Sequence, residues 1–497
     1  NSTGLELNKA DLIRNFVLMG LAPNIQTELY RKYWRPMEDD FGQTAYGTHF
    51  DKFIRDFLTL KTGAIPNEKF VYDAFKNYAR THLTNDEDVE ALVGEVRNYS
   101  KYYCAMALGK ETDPDLKRAF HDLRDLELNV AYPFLLELYH DYASSIMAKD
   151  DFLQALRLVE SYAFRRAACG IPTNSMNKTF ATFPKALKKD RYLESIQAHF
   201  LLLSSNQRCP DDNEFKEAFK NRNLYKHKSR SYWLRRFENH GRKERVNVDE
   251  YTIEHIMPQN LSTQWQQALG SDWEQFHERY LHTAGNLTLT GYNAEYSNRP
   301  FAEKRDMEGG FINSPLRVNE GLGSVEEWDE EALKKRGTKL AERATSVWVI
   351  PNLPQEVLDS YRLKSGSKGK YSLDNYPNLL NSDVKDLFES FRREVLALDP
   401  CVSENFLKDY IAYKAERNFT DIVPRTKHLT LFLNMDFPDV NDPKGVCEDV
   451  SSIGTRGNGD IRVKLRKHDE IPYVLGLVRQ SLESQLDKNT ESQNSFN

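Results

Sequence analysis

Long apolar runs are missing from this 497-residue chain, and cysteine is scarce. No stretch approaches the roughly 18 apolar residues of a membrane-spanning helix, so no membrane partner is expected. The five cysteines (Cys104, Cys169, Cys209, Cys401 and Cys447) are widely scattered. No two stand at the short spacing of a zinc site, and nothing suggests a disulfide framework, so a reducing, cytoplasmic setting is expected. A strong charge excess is missing too. The formal charge of −6 carries no global sign of nucleic-acid binding, so any such surface must be local. No signal peptide and no internal repeat is found. What is there is 40% hydrophobic and 29% charged, the composition of a soluble globular protein. The length suits about three domains of roughly 150 residues each.

The first half reads as helical. "NKADLIRNFVLMGL" predicts a helix capped by Asn8, with Asp11 in its first turn. "HFDKFIRDFLTL", "LKRAFHDLRDLEL", "YPFLLELYHDYASSIM" and "FLQALRLVESYAFRRAACG" carry apolar residues at three- and four-residue spacing. Phe53, Phe57, Tyr139 and Phe152 on these stripes are candidate core residues. Gly170 and Pro172 are stop signals for the last of them.

The pattern changes at residue 216. Residues 216–245 hold eleven Lys or Arg against three acids, a balance of +8, with Tyr225, Tyr232 and Trp233 among them. Such a run is either a solvated helix face or a nucleic-acid contact, with Lys228, Arg230, Arg235 and Arg236 as candidates. Towards the other end, "SYRLKSGSKGKYSLDNYP" reads as linker. After it, a helix, strand-like runs such as "HLTLFLNM" and "DIRVKLRK", and a final helix predict a small α+β domain with a mainly antiparallel sheet.

Between these lies "YTIEHIMPQN", residues 251–260. It alternates as a short strand that Pro258 must stop. "GNLTLTG", 285–291, supplies a second strand, and "NAEYSNRPFAEKRDM", 293–307, a helix with Phe301 inward and Lys304 and Arg305 outward. An acid beside a histidine suits phosphodiester hydrolysis. A neutral imidazole takes a proton from water, and a hard cation needs only a few oxygen ligands. Asn286 is placed to pin the loop or orient the imidazole. Because neighbouring strand residues face opposite ways, Glu254 and His255 meet one phosphate only if the backbone bends between 254 and 258, turning both towards Asn293 or Asn298. His277 and His282 read as surface or packing residues, with His282 near enough to the motif to reach DNA.

"YTIEHIMPQ…W…GNLTLTGYNAEYSNRPFAEKR" resembles the HNH nuclease domain at the C-terminal end of GmrSD-type, modification-dependent (type IV) restriction endonucleases. The opening "NSTGLELNKADLIRN" resembles the end of their ParB-like N-terminal domain, and the C-terminal segment resembles an uncharacterised domain appended to such proteins. The chain starts without Met and lacks the upstream "DGQQR"-type motif, so it is expected to be the inside of a longer protein whose missing part carries any nucleotide dependence. The resemblance implies a ββα-metal (HNH) core with His255 as general base and Asn286 as the loop-positioning residue. It implies Glu254 as a metal ligand, with Asn293 or Asn298 as the second. Lys304 and Arg299 would meet phosphate. The implied cofactor is Mg²⁺, with Mn²⁺ as the alternative, and the implied partner is foreign, modified phage DNA. Glu254 stands where many HNH motifs have Asp, and the interval from Asn286 to Asn293 is shorter than in many.

The expected architecture is therefore α+β and mostly α-helical. Residues 1–40 are the ParB-like remnant, 41–215 a helical domain, 216–350 the nuclease domain, 351–381 a linker, 382–485 the α+β domain and 486–497 a tail. A non-cleaving DNA-binding or sensor module, an RNA-directed HNH effector and a helical scaffold with an inert insert stay open as alternatives. So does homo-oligomerisation.

Overall fold

The computed structural model describes residues 9–83, 86–171, 173–203, 207–225, 230–362, 371–380, 382–399, 402–415, 418–452 and 459–494. The fold is α+β and mostly helical, with two small antiparallel sheets, as expected. Among the described residues, no helix is long and apolar enough to cross a membrane. Asn8, Pro172 and Lys228 lie outside the described residues. Two compact units can be distinguished: Arg14–Phe53 with Leu83–Tyr361, and the described parts of Asn1–Ile13, Ile54–His82 and Arg362–Asn497.

The first unit carries the motif. Helix α1, Pro114–Asp125, starts at Asp113, whose side chain accepts from the amides of Asp115 and Leu116, with proline at the first helical position. Its Leu116, Ala119, Phe120 and Leu123 are buried at helical spacing. Helix α2, Lys149–Ala168, buries Phe152, Leu156, Val159 and Ala163 in the same way. Phe53 is fully buried as expected, as is Phe57 in the second unit. Tyr139 is half-buried and donates to Glu111 Oε2 at 2.6 Å. Gly170, just past α2, has φ +66°, and a Cβ there would strike the Arg222 guanidinium. Helices α3, Asp212–Asn221, and α4, Arg230–Asn239, follow.

From Tyr232 onward, the α4 part of the basic run is packed inward rather than solvated. Tyr232 and Trp233 are core residues, packed with Phe219, Phe237 and Trp348. Arg235 donates to Asp122 at 2.8 Å and pairs with Asp125. Arg236 donates to Glu160 at 2.5 Å, and Arg157 bridges Asp122 and Glu160 at 2.7 and 2.6 Å. Tyr232 also donates to Glu160, and Trp348 Nε1 donates to the Tyr232 hydroxyl at 2.7 Å. Buried charges need such partners, and here the acids come from α1 and α2. Arg236 is therefore buried and paired rather than part of an open basic surface, and Arg235, half-buried, is paired with Asp122 and Asp125 of α1.

Strand β1, Thr252–His255, pairs antiparallel with β2, Leu287–Thr290, in the register Glu254↔Thr288 and His255↔Leu287. Helices α5, Asn293–Tyr296, and α6, Phe301–Asp306, come next, so the strand, insertion, strand, helix order is as read. Helix α7, Glu330–Val347, packs on α3 and on the 284–286 turn. A Cβ on Gly285 would lie 2.8 Å from the Leu333 carbonyl, so the motif glycine admits this helix. Part of the expected linker is ordered as helix Gln355–Tyr361, while 363–370 lie outside the described residues.

The second unit is built on a six-stranded antiparallel sheet, in the order β3-β4-β5-β6-β8-β7. Its strands are β3 Ser403–Phe406, β4 Ile411–Lys414, β5 Asn418–Pro424, β6 Leu429–Leu433, β7 Glu448–Asp449 and β8 Ile461–Leu465. Leu429, Leu431 and Leu433 alternate onto one face with Ile461, Val463 and Leu465. Helices α8, Ser382–Leu396, and α9, Ile471–Asn494, cover that face with Phe388, Phe391, Val474 and Val478. Arg392 grips Glu404 through Nε and Nη2, tying α8 to the edge strand β3.

Candidate active site at the end of the first strand

The backbone bends at residues 256–257, directly after β1. Asn286 fixes the bend. Its main-chain oxygen accepts from the Ile256 amide at 2.9 Å, and its side-chain Oδ1 accepts from the Met257 amide at 2.7 Å. Its Nδ2 donates to the carbonyls of Met257 and Leu281, both at 2.9 Å. Asn286 is fully buried and spends its amide on pinning chain; among the contacts seen it does not touch the imidazole of His255. The Pro258 carbonyl accepts from His277 Nε2 at 3.0 Å, which anchors the far side of the bend.

Glu254 and His255 both remain inside β1, so their side chains leave in different directions. The expected bend begins one residue too late to turn both towards Asn293 or Asn298. Glu254 is buried, and its Oε1 accepts from Lys304 Nζ at 2.6 Å. Lys304 donates also to the His255 and Ile256 carbonyls, each at 3.2 Å, which occupies all three ammonium protons. It is fully buried, the reverse of the outward lysine expected. It stands three residues after Phe301 and shares its inward face. Burial pushes the Glu254 carboxyl up, against the pull of Lys304, and pushes the Lys304 ammonium down, against the pull of Glu254.

His255 meets a different set. Its Nε2 lies 3.0 Å from His282 Nδ1, one nitrogen donating and the other accepting. The Tyr225 ring stacks on His282 at 5.2 Å and stands edge-on to His255 at 4.6 Å. The Leu224 amide holds the His282 carbonyl at 2.9 Å. Burial, and then the neighbouring His282, Lys304 and His277, push the His255 imidazole down to about 3. It is therefore neutral at physiological pH.

Two of the predicted phosphate-contacting residues lie at the surface. Arg230 is exposed, with its guanidinium 4.7 Å from the centre of the Tyr225 ring, beside the histidine pair. Arg299 is exposed and pairs with Glu303 at 3.3 Å. Asn293 and Asn298 are exposed too, on α5 and just after it, and α5 packs against β1.

Among the described residues, no three His, Cys, Asp or Glu side chains gather as a metal cage. The hard donors available are the Glu254 carboxylate, of which Lys304 takes only Oε1, and the surface amides of Asn293 and Asn298. These are hard oxygens of the kind Mg²⁺ takes, not the ligands of a closed zinc site, but they are not gathered: Glu254 is buried on Lys304 while Asn293 and Asn298 are exposed.

Two contributors escaped sequence reading. Tyr225 was legible only as an aromatic among basic residues. Arg336 on α7 donates to the carbonyls of Ala284, Gly285, Leu287 and Val318 at 2.7–3.0 Å, bracing the turn that carries Asn286. Nothing in "EEALKKRGTKL" separates that arginine from its solvent-facing neighbours.

Residues 377–485 match a domain of unknown function, DUF5655. Over 99 residues the chain is 33% identical to an uncharacterized protein of Haemophilus influenzae, a match covering 20% of this chain and 33% of that protein. Residues 209–343, which carry β1, β2, Asn286 and the histidine pair, match the C-terminal domain of GmrSD restriction endonucleases. The segment that holds the candidate site is thus similar to a domain of a restriction endonuclease family.

Proposed function

We propose that this protein is a metal-dependent HNH endonuclease of the GmrSD type that hydrolyses foreign, base-modified phage DNA. The observation that carries the reading is the buried His255, paired with His282 at the pinned end of β1, inside the segment similar to that family. In this reading His255 Nε2–H donates to His282 Nδ1, which leaves the His255 Nδ1 lone pair to take a proton from the attacking water. His282 then steadies the imidazolium as it forms. An imidazole held down to about 3 is unprotonated but weakly basic. An arriving phosphate anion raises that value and strengthens the base when substrate is present.

Asn286 and Lys304 act as positioning residues, holding the strand end that carries His255. Exposed Arg230 and Arg299 meet the phosphate backbone. The resemblance assigns Mg²⁺, with Mn²⁺ as substitute, to Glu254 and Asn293 or Asn298, where it would neutralise charge on the phosphorus and the leaving oxygen; that role requires the buried Glu254 to leave Lys304.

The test is incubation with modified phage DNA, unmodified plasmid and RNA, with Mg²⁺, Mn²⁺ or EDTA. Cleavage of modified DNA, abolished by EDTA and absent with RNA, is the expected result. No cleavage of either DNA under any of these conditions overturns the proposal, and cleavage of RNA alone replaces it with an RNA-directed nuclease.

A further inference from the structure

A second site lies away from the histidine pair, in the same unit. A cavity of about 380 Å³ opens between α1, α4 and the segment that follows α4. This is within the range of roughly 300–1,000 Å³ usual for small-ligand sites. Lys117, His121 and Arg124 line it from one face of α1, at positions i, i+4 and i+7. Arg118 joins them, Arg235 approaches from α4, and Arg245 closes the far side.

The one acid in the lining, Asp122, is already taken. Arg157 and Arg235 hold it at 2.7 and 2.8 Å, and Arg236 stands 3.6 Å away. Arg118 pairs with Asp115, and Arg124 donates through Nη1 to the Met106 carbonyl at 2.6 Å. Among the described residues, the Lys117 and Arg245 side chains have no ion pair or hydrogen bond, and Arg124 has no acid. Arg245 is pressed downward by burial and then by Arg118, Arg157 and Arg236, a sign of crowded like charge. A concave wall of one sign focuses its potential on an anion, and guanidinium forks with an ammonium match phosphate oxygens.

We propose that this cavity binds a phosphate group, supplied by the backbone of bound DNA or by a free nucleotide. The DNA source rests on the nuclease reading; the nucleotide source does not. The test uses the full chain and the double variant Lys117→Glu/Arg245→Glu, with Lys101→Glu/Lys185→Glu as an equal charge change elsewhere. Both altered positions are exposed, and melting curves check that each variant folds. Fluorescence titrations with a labelled DNA duplex and with mant-ADP are run in EDTA, where nothing is cut.

The expected result is binding weakened about tenfold at low salt, with a DNA salt dependence flatter by about 2 in the log–log slope, and no such loss in the control. Loss for DNA alone assigns the backbone, loss for mant-ADP alone assigns a nucleotide, and loss for both assigns phosphate from either. Unchanged binding of both probes, or an equal loss in the control, overturns the proposal. Binding is read without cleavage, so an inactive nuclease with an intact cavity, or the reverse, is recognised as such.

Discussion

The Lys304 ammonium lies 2.6 Å from the Glu254 carboxylate, with 0% and 6% of the two side chains exposed. Removing one member leaves the other charge buried alone, at a cost of about 3–5 kcal/mol. Lys304→Met is therefore expected to lower unfolding free energy in urea by about that amount. Glu254→Gln/Lys304→Met is expected to recover most of it, because neither charge is left behind. A single variant as stable as the native protein contradicts the pairing.

Asn286 is expected to be as demanding. Asn286→Ala strands the Met257 amide and two carbonyls in the interior, each costing about 1–3 kcal/mol when unsatisfied. The loss is read from denaturant midpoints. Faster amide hydrogen exchange at Met257 than at the ladder residues of β2 localises it.

Arg236 is expected to behave as a structural residue. Its guanidinium is 8% exposed and bonded to Glu160. Arg236→Ala should cost about 1.5–3 kcal/mol, the loss of one charged hydrogen bond, because Arg157 and Tyr232 still hold Glu160. The DNA salt slope should stay unchanged for the folded fraction. A flattened slope with native stability would return Arg236 to the DNA surface.

Part of this was open to sequence reading, and the failures share a cause. Helical stripes such as Phe152, Leu156 and Val159, and the alternation either side of Pro258, are local patterns that the fold obeys. Whether a charge faces water is decided by partners far along the chain. Arg236 finds Glu160 across 76 residues, and Lys304 finds Glu254 across 50. A count of +8 over residues 216–245 holds no record of those acids. Lys304 was legible after all, since its spacing from Phe301 put it on the buried face. The His255–His282 pair was not, because β1 and the turn before β2 meet only in the fold.

Acid sensitivity has an identifiable contributor in His199. Its ring sits 4.0 Å from that of Phe183, its buried Nε2 has no partner among the described residues, and burial pushes it down to about 4. In the unfolded chain it protonates near pH 6.5. Between pH 6.5 and about 4 the unfolded state therefore binds the extra proton. Stability contributed by neutral His199 is complete above pH 6.5 and is lost as pH falls through that window. His199→Phe is expected to shallow the fall in melting temperature between pH 7 and 4. An unchanged acid limb argues against a buried neutral ring.

The most direct test of the nuclease reading is single-turnover cleavage of modified DNA by native protein and His255→Ala, each with and without added imidazole. His255→Ala is expected to cut about 10²–10⁴-fold more slowly and to be partly restored by imidazole, as a missing general base should be. A His255→Ala protein that folds normally and cuts at the native rate contradicts the assignment of His255 as the base.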